Sequence, residues 1–115
     1  MKGVKLPNAH LAVVEREKVL NYLLNSRHHY GASKAHFFAQ FGFLPEKEEF
    51  LIQTLQEHGQ KHDIVKVTET GFGPRYLIEG ELRAPDGRTP HVCTVWQLDK
   101  GQLAPRLITA YPLKS

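Results

Sequence analysis

Lys34, Phe37, Phe38 and Phe41 recur at i, i+3, i+4 and i+7, the spacing that lines up side chains on one helix face. A lysine therefore opens an apolar stripe, just after Ser33, a residue type suited to capping a helix N-terminus. A cation at that end opposes the positive pole of the helix dipole. A bound phosphate would reverse the penalty, because helix N-terminal amides and a lysine can share one anion. The same spacing also allows Lys34 to run along the phenylalanines to water. His28 and His29 sit in the loop just before this helix. Histidine exchanges protons near neutral pH, since its ordinary pKa is about 6.5. His28 near Lys34 could then serve as base or acid, against the plainer alternative of two exposed turn histidines. His36 is two residues from Lys34 and points elsewhere.

The second set of polar residues lies in the C-terminal half, where the pattern alternates. Tyr76, Ile78 and Leu82 share one face, opposite Arg75, Leu77, Glu79, Glu81 and Arg83. Val92, Thr94, Trp96 and Leu98 oppose His91, Cys93, Val95 and Gln97, and Leu107, Thr109 and Tyr111 oppose Arg106, Ile108 and Ala110. Thr109 and Tyr111, with Arg75 and a histidine nearby, would form a patch able to bind a phosphodiester and stack a base. Trp96 and Arg106 are further candidate substrate contacts. Thr109, Tyr111 and Trp96 are equally good as strand formers packed on their neighbours.

Other motifs carry less. His58 and His62 have the i, i+4 spacing of a metal clamp, but Gly59 is expected to interrupt that helix and no third ligand is evident. Gly71-Phe72-Gly73-Pro74 lacks the strand-before, helix-after context of a nucleotide loop and reads as a turn. Cys93 between valines reads as a packed thiol. No serine elbow or cofactor loop is present, so neither metal nor cofactor is expected.

The elements that must position these residues follow a simple order. Val19, Leu20, Leu23 and Leu24 predict a first helix from Glu15 to Leu24, preceded by a short edge strand around Leu11–Val14. A second helix from Ser33 to Phe41 closes at Gly42, and a third starts after Pro45 and ends at Gly59. Strands are expected at Ile64–Val67, Arg75–Ala84, His91–Leu98 and Arg106–Tyr111, with Pro85-Asp86-Gly87-Arg88 as the clearest hairpin turn. This is an α+β pattern: about three N-terminal helices (about 15–59) packed on a four-stranded antiparallel meander (about 62–112), in one domain over residues 1–115.

Composition agrees with a globular chain. The 115 residues are 41% hydrophobic and 23% charged, with net charge +3 and one cysteine, which excludes an internal disulfide and a Cys-rich zinc site. The longest apolar run, Leu11–Val14, is too short to span a bilayer. A soluble, cytoplasmic protein is expected, and modest basicity is compatible with an anionic partner. An initial Met suggests a free-standing reading frame.

The stretch Tyr22-Leu23-Leu24-Asn25-Ser26-Arg27-His28, continuing through Gly31-Ala32-Ser33-Lys34-Ala35-His36-Phe37-Phe38, resembles a bacterial family of small domains. That family's motif runs Leu-Asn-Pro-x-His-x-x-Gly-x-x-Lys-Ala-x-x-Phe. Thr94-Val95-Trp96 and Pro105–Pro112 resemble it as well, and the likeness covers Leu6 to Pro112. It places Asn25, His28, Gly31, Lys34, Ala35 and Phe38 on motif positions, with Ser26 in place of proline. The family occurs free-standing and in polymorphic-toxin-like proteins, and its element order resembles the RNase toxins of the barnase, colicin, EndoU and RelE fold. The resemblance implies a metal-independent ribonuclease cleaving RNA through 2′-hydroxyl attack, with a small antitoxin or immunity protein as partner. On that reading His28, Lys34, Arg75 and Thr109 are the candidate catalytic residues, and Tyr111, Arg106 and Trp96 the candidate substrate contacts. The alternatives are a non-catalytic nucleic-acid- or protein-binding module and a degenerate, inert toxin. A small-molecule enzyme is the least supported class.

Overall fold

The computed structural model describes residues 3–29 and 31–113. A short 3-10 turn at Ala9–Leu11 leads into α1 (Arg16–Lys18), which continues as a π-helical turn over Val19–Leu23. Then come α2 (Ala32–Gln40), α3 (Glu48–Lys61) and strands β1 (Ile64–Thr70), β2 (Gly73–Glu81), β3 (His91–Gln97) and β4 (Arg106–Pro112). The strands form one antiparallel sheet in the order β1-β2-β3-β4. The α+β meander expected from the residue pattern is the observed architecture.

The first helix is not a plain α-helix. The Leu24 amide donates to the Val19 carbonyl at 2.8 Å, an i→i+5 bond that widens the turn by one residue. Val19, Leu23 and Leu24 are buried, while Tyr22 is left half-buried beside them. The second helix begins one residue before Ser33, which is therefore not its cap. Gly31 occupies that position, and a side chain there would place its Cβ 2.2 Å from the Tyr22 carbonyl oxygen. The motif glycine thus lets α2 start directly against the π turn.

The third helix runs through Gly59 to Lys61 rather than ending at it. A Cβ on Gly59 would lie 2.6 Å from the Trp96 ring, so the missing side chain lets α3 lie directly on the tryptophan. Pairing sorts the sheet into two faces. Tyr76, Trp96 and Leu107 are neighbours on the helix side, as are Ile78, Thr94 and Ala110. Glu79, Cys93 and Tyr111, then Leu77, Val95 and Thr109, then Arg75, Gln97 and Arg106 line the other face.

Simple alternation fails in β4. A bulge opposite Val95/Trp96 leaves Ile108 as the extra residue, so Leu107 and Ala110 are buried on the helix side while Thr109 and Tyr111 face the other way. The expected strand near Leu11–Val14 shrinks to one parallel bridge, Val13 to Arg106, on the outer edge of β4. Just beyond it, Lys18 Nζ donates to the Ile108 carbonyl at 3.0 Å. The buried cluster joins Val19, Leu23, Phe38, Leu51 and Leu55 from the helices to Ile78, Trp96 and Leu107 from the sheet.

Candidate functional site

Three of the four candidate catalytic residues meet around a residue that sequence reasoning passed over, Tyr22. The π turn aims its ring past the start of α2 toward β4. Its hydroxyl lies 3.1 Å from Thr109 Oγ1. Lys34 Nζ sits over the ring at 5.4 Å from the centroid and Lys18 Nζ at 5.6 Å, distances at which an ammonium is attracted to an aromatic face. The His28 ring meets Tyr22 edge-on at 5.1 Å between centroids. Burial opposes ionisation of the phenol, but hydrogen bonds from Thr109 and Lys34 and the charges of Lys34 and Lys18 outweigh it, so its pKa is lowered. Lys34 therefore neither trails along the phenylalanines nor stands alone at a helix end.

His28 is held differently from what proton transfer at Nδ1 requires. Its Nδ1 accepts the Gly31 N–H at 3.0 Å. That bond uses the Nδ1 lone pair, so the neutral ring carries its proton on Nε2. The ring thus holds the Gly31 amide at the start of α2, and the His28 amide in turn donates to the Asn25 carbonyl.

The other candidates are spread over the sheet. Arg75 shares the face of Thr109 but lies two strands away and one pair along, roughly 12 Å by strand spacing and rise. Its Nε donates to Gln97 Oε1 at 3.1 Å. Arg106 is paired with Asp99 at 2.7 Å, which raises its own pKa and lowers that of Asp99. Tyr111 lies against buried Cys93; that contact, with burial and Glu79, pushes its phenol up to about 12. Trp96 corrects the expectation of a substrate contact. It is fully buried under α3 on the helix face, with Nε1 donating to Thr94 Oγ1 at 2.8 Å, so it cannot reach a base.

His58 is likewise a core residue rather than half of a metal clamp. Nδ1 lies 2.9 Å from Thr94 Oγ1, and Nε2 contacts the carbonyls of Val92 at 2.9 Å and Gly80 at 3.1 Å. The carbonyls can only accept, so Nε2 carries the proton and Thr94 donates to Nδ1 while accepting from Trp96. His62 turns to the Glu81 carbonyl at 2.7 Å. Among the described residues no group of three His, Cys, Asp or Glu side chains is arranged to hold a metal, and no helix is long and apolar enough to cross a membrane.

The overlooked residues left a trace in the chain. Lys18 and Tyr22 are four apart, the spacing of neighbours on a helix. Their convergence on Thr109 depends on the π turn and the β4 bulge, neither of which has a residue pattern of its own. Lys18, Tyr22, Lys34 and Thr109 are each half-buried. One cleft of about 220 Å³ lies beside α2 near Phe43, and another of about 430 Å³ along β1, at the opposite edge of the sheet from Thr109.

No curated protein sequence matches the chain significantly. Among solved structures, a chain of a contact-dependent growth inhibition toxin–immunity protein complex from Klebsiella pneumoniae 342 has the same fold. The TM-score is 0.72 at 17% identity, over 93% of this chain and 97% of that one. The family described as Domain of unknown function (DUF6883) matches residues 5–114, and the chain belongs to that family.

Proposed function

We propose that this protein is a toxin-type endoribonuclease that cleaves RNA without a metal ion. The adjacent 2′-hydroxyl attacks phosphorus and leaves a 2′,3′-cyclic phosphate. The gathering of Lys34, Lys18 and Thr109 around the Tyr22 side chain carries this reading. Two ammonium groups and a hydroxyl donor at one point suit the charge that develops on the non-bridging oxygens. Thr109 donates to the phosphate, Arg75 is a second cation farther along the same sheet face, and Tyr111 is an aromatic wall. Arg106 borders the face and His28 the rim. The fold shared with a chain of a toxin–immunity complex supports the toxin reading. By the same argument the partner is a small immunity or antitoxin protein covering the cluster, and the place of action is the cytoplasm, where RNA is abundant.

A binding module without catalysis is the second reading, favoured by the hold of His28 Nδ1 on the Gly31 amide, which leaves that nitrogen no lone pair for proton transfer. Incubation of wild type and Lys34→Ala with tRNA in EDTA separates the two. Cleavage by wild type that falls about 10²-fold or more in the variant supports the nuclease. Salt-sensitive RNA affinity with intact RNA supports the binding module.

A further inference from the structure

We infer that Tyr22 is the group that hands a proton to the RNA, protonating the 5′-oxygen that leaves when the chain is cut. This rests on the ribonuclease reading and assigns the proton transfer within the same site.

Three features of the geometry support the assignment. The Tyr22 hydroxyl is at the centre of the cluster, bonded to Thr109 Oγ1 at 3.1 Å and contacted by Lys34. The phenolate left after proton donation would have the Lys34 and Lys18 ammonium groups already over its ring. The alternatives are less well placed. His28 spends its Nδ1 lone pair on the Gly31 amide, and Tyr111 is pushed up to about 12 against Cys93. Burial of Tyr76 raises that phenol as well. Of these three tyrosines, Tyr22 alone has an environment that favours losing the proton.

The step balances with water as the only co-reactant. Hydroxide or water removes the 2′-hydroxyl proton, and the 2′-oxygen forms its bond to phosphorus. The bond from phosphorus to the 5′-oxygen breaks, its electron pair stays on that oxygen, and the phenolic proton moves there. Water then returns a proton to the phenolate. A lysine pair holds the phosphate and stabilises the phenolate, so one pair of cations acts on both developing charges.

The test compares two substrates that differ in their need for an acid. An ordinary RNA linkage has a poor leaving group, whereas a nucleoside 3′-(4-nitrophenyl phosphate) leaves without a proton. Tyr22→Phe keeps the ring packing and removes only the hydroxyl. The expected result is a loss of about 10²- to 10⁴-fold on RNA, with less than about tenfold on the nitrophenyl ester. A parallel pH titration of tyrosinate absorbance should show the lowest-titrating phenol of wild type disappear in Tyr22→Phe. Equal losses on both substrates would reduce Tyr22 to a positioning residue and overturn the proposal, as would full RNA cleavage by Tyr22→Phe. Wild type that leaves both substrates intact overturns the ribonuclease reading and this assignment together.

Discussion

At the residue scale the candidate site depends on close approach more than on any single charge. Gly31 has φ −101°, an ordinary value for any residue, so glycine is not required there for backbone reasons. It is required because a Cβ would stand 2.2 Å from the Tyr22 carbonyl oxygen and 2.9 Å from its ring. Gly31→Ala should therefore lose about 2 kcal/mol or more of stability in urea unfolding, and should move Tyr22 away from Thr109. An alanine variant as stable as wild type would contradict this packing. Lys34→Ala should behave in the opposite sense. Its contact with the Tyr22 face is worth about 1 kcal/mol at a partly exposed site, so thermal unfolding should barely change while activity falls about 10²-fold or more. The lysine, histidine and threonine of this cluster stood out by residue type and spacing. Tyr22 did not, because a tyrosine in a leucine-rich helix looks like any other core residue until the turn that carries it is seen.

At the scale of elements, the junction between α3 and the sheet is polar where an apolar interface would be the default. Trp96, Thr94 and His58 form a relay that ends on the Val92 and Gly80 carbonyls. Burial, with the charge of His62 adding to it, lowers the His58 pKa from 6.5 to about 4, against the raising effect of the two carbonyls. The folded state thus binds this proton less readily than the unfolded state, and stability falls as pH drops from about 6.5 toward 4. The contribution is about 3 kcal/mol in size, taking 1.36 kcal/mol per pKa unit. Proton NMR should show one of the seven histidines unprotonated well below pH 6. If all seven titrate near 6.5, the relay is wrongly drawn. Gly59→Ala tests the same junction with two opposed effects. Helix propensity gains about 1 kcal/mol, but the new Cβ at 2.6 Å from Trp96 overpacks the interface by about 1–3 kcal/mol. The variant should be net destabilised in a denaturant melt. Sequence reading ended α3 at Gly59 because glycine commonly stops helices, and the ring that requires it here is 37 positions away in the chain. The β4 bulge was hidden for a similar reason: Leu107, Ile108 and Thr109 continue an unbroken strand pattern, and only the buried positions of Leu107 and Ala110 reveal the extra residue.

At the scale of the whole molecule, the helices-then-meander order was legible because its signals are local: apolar spacing, Pro45, Gly42 and the Pro85-Asp86-Gly87-Arg88 turn. The site was half legible. Its cationic and hydroxyl members could be named, but their meeting point is built from α1, α2 and β4 together. Alternation alone does not say which face of β3 the helices cover, so Trp96 stood open between substrate contact and packed strand residue until its burial was seen. The molecule carries a net charge of only +3, so RNA binding should owe most of its salt dependence to a few contacts. Lys18→Ala and Lys34→Ala should each lower the slope of log affinity against log salt by about 1. Unchanged slopes would move the phosphate contacts elsewhere. The most direct measurement of the central claim is end analysis of total RNA and tRNA after incubation with the purified protein in EDTA. New fragments ending in 2′,3′-cyclic phosphate are expected, reduced about 10²-fold or more with Lys34→Ala. RNA left intact at high protein concentration, or fragments with other 3′ ends, would contradict the claim.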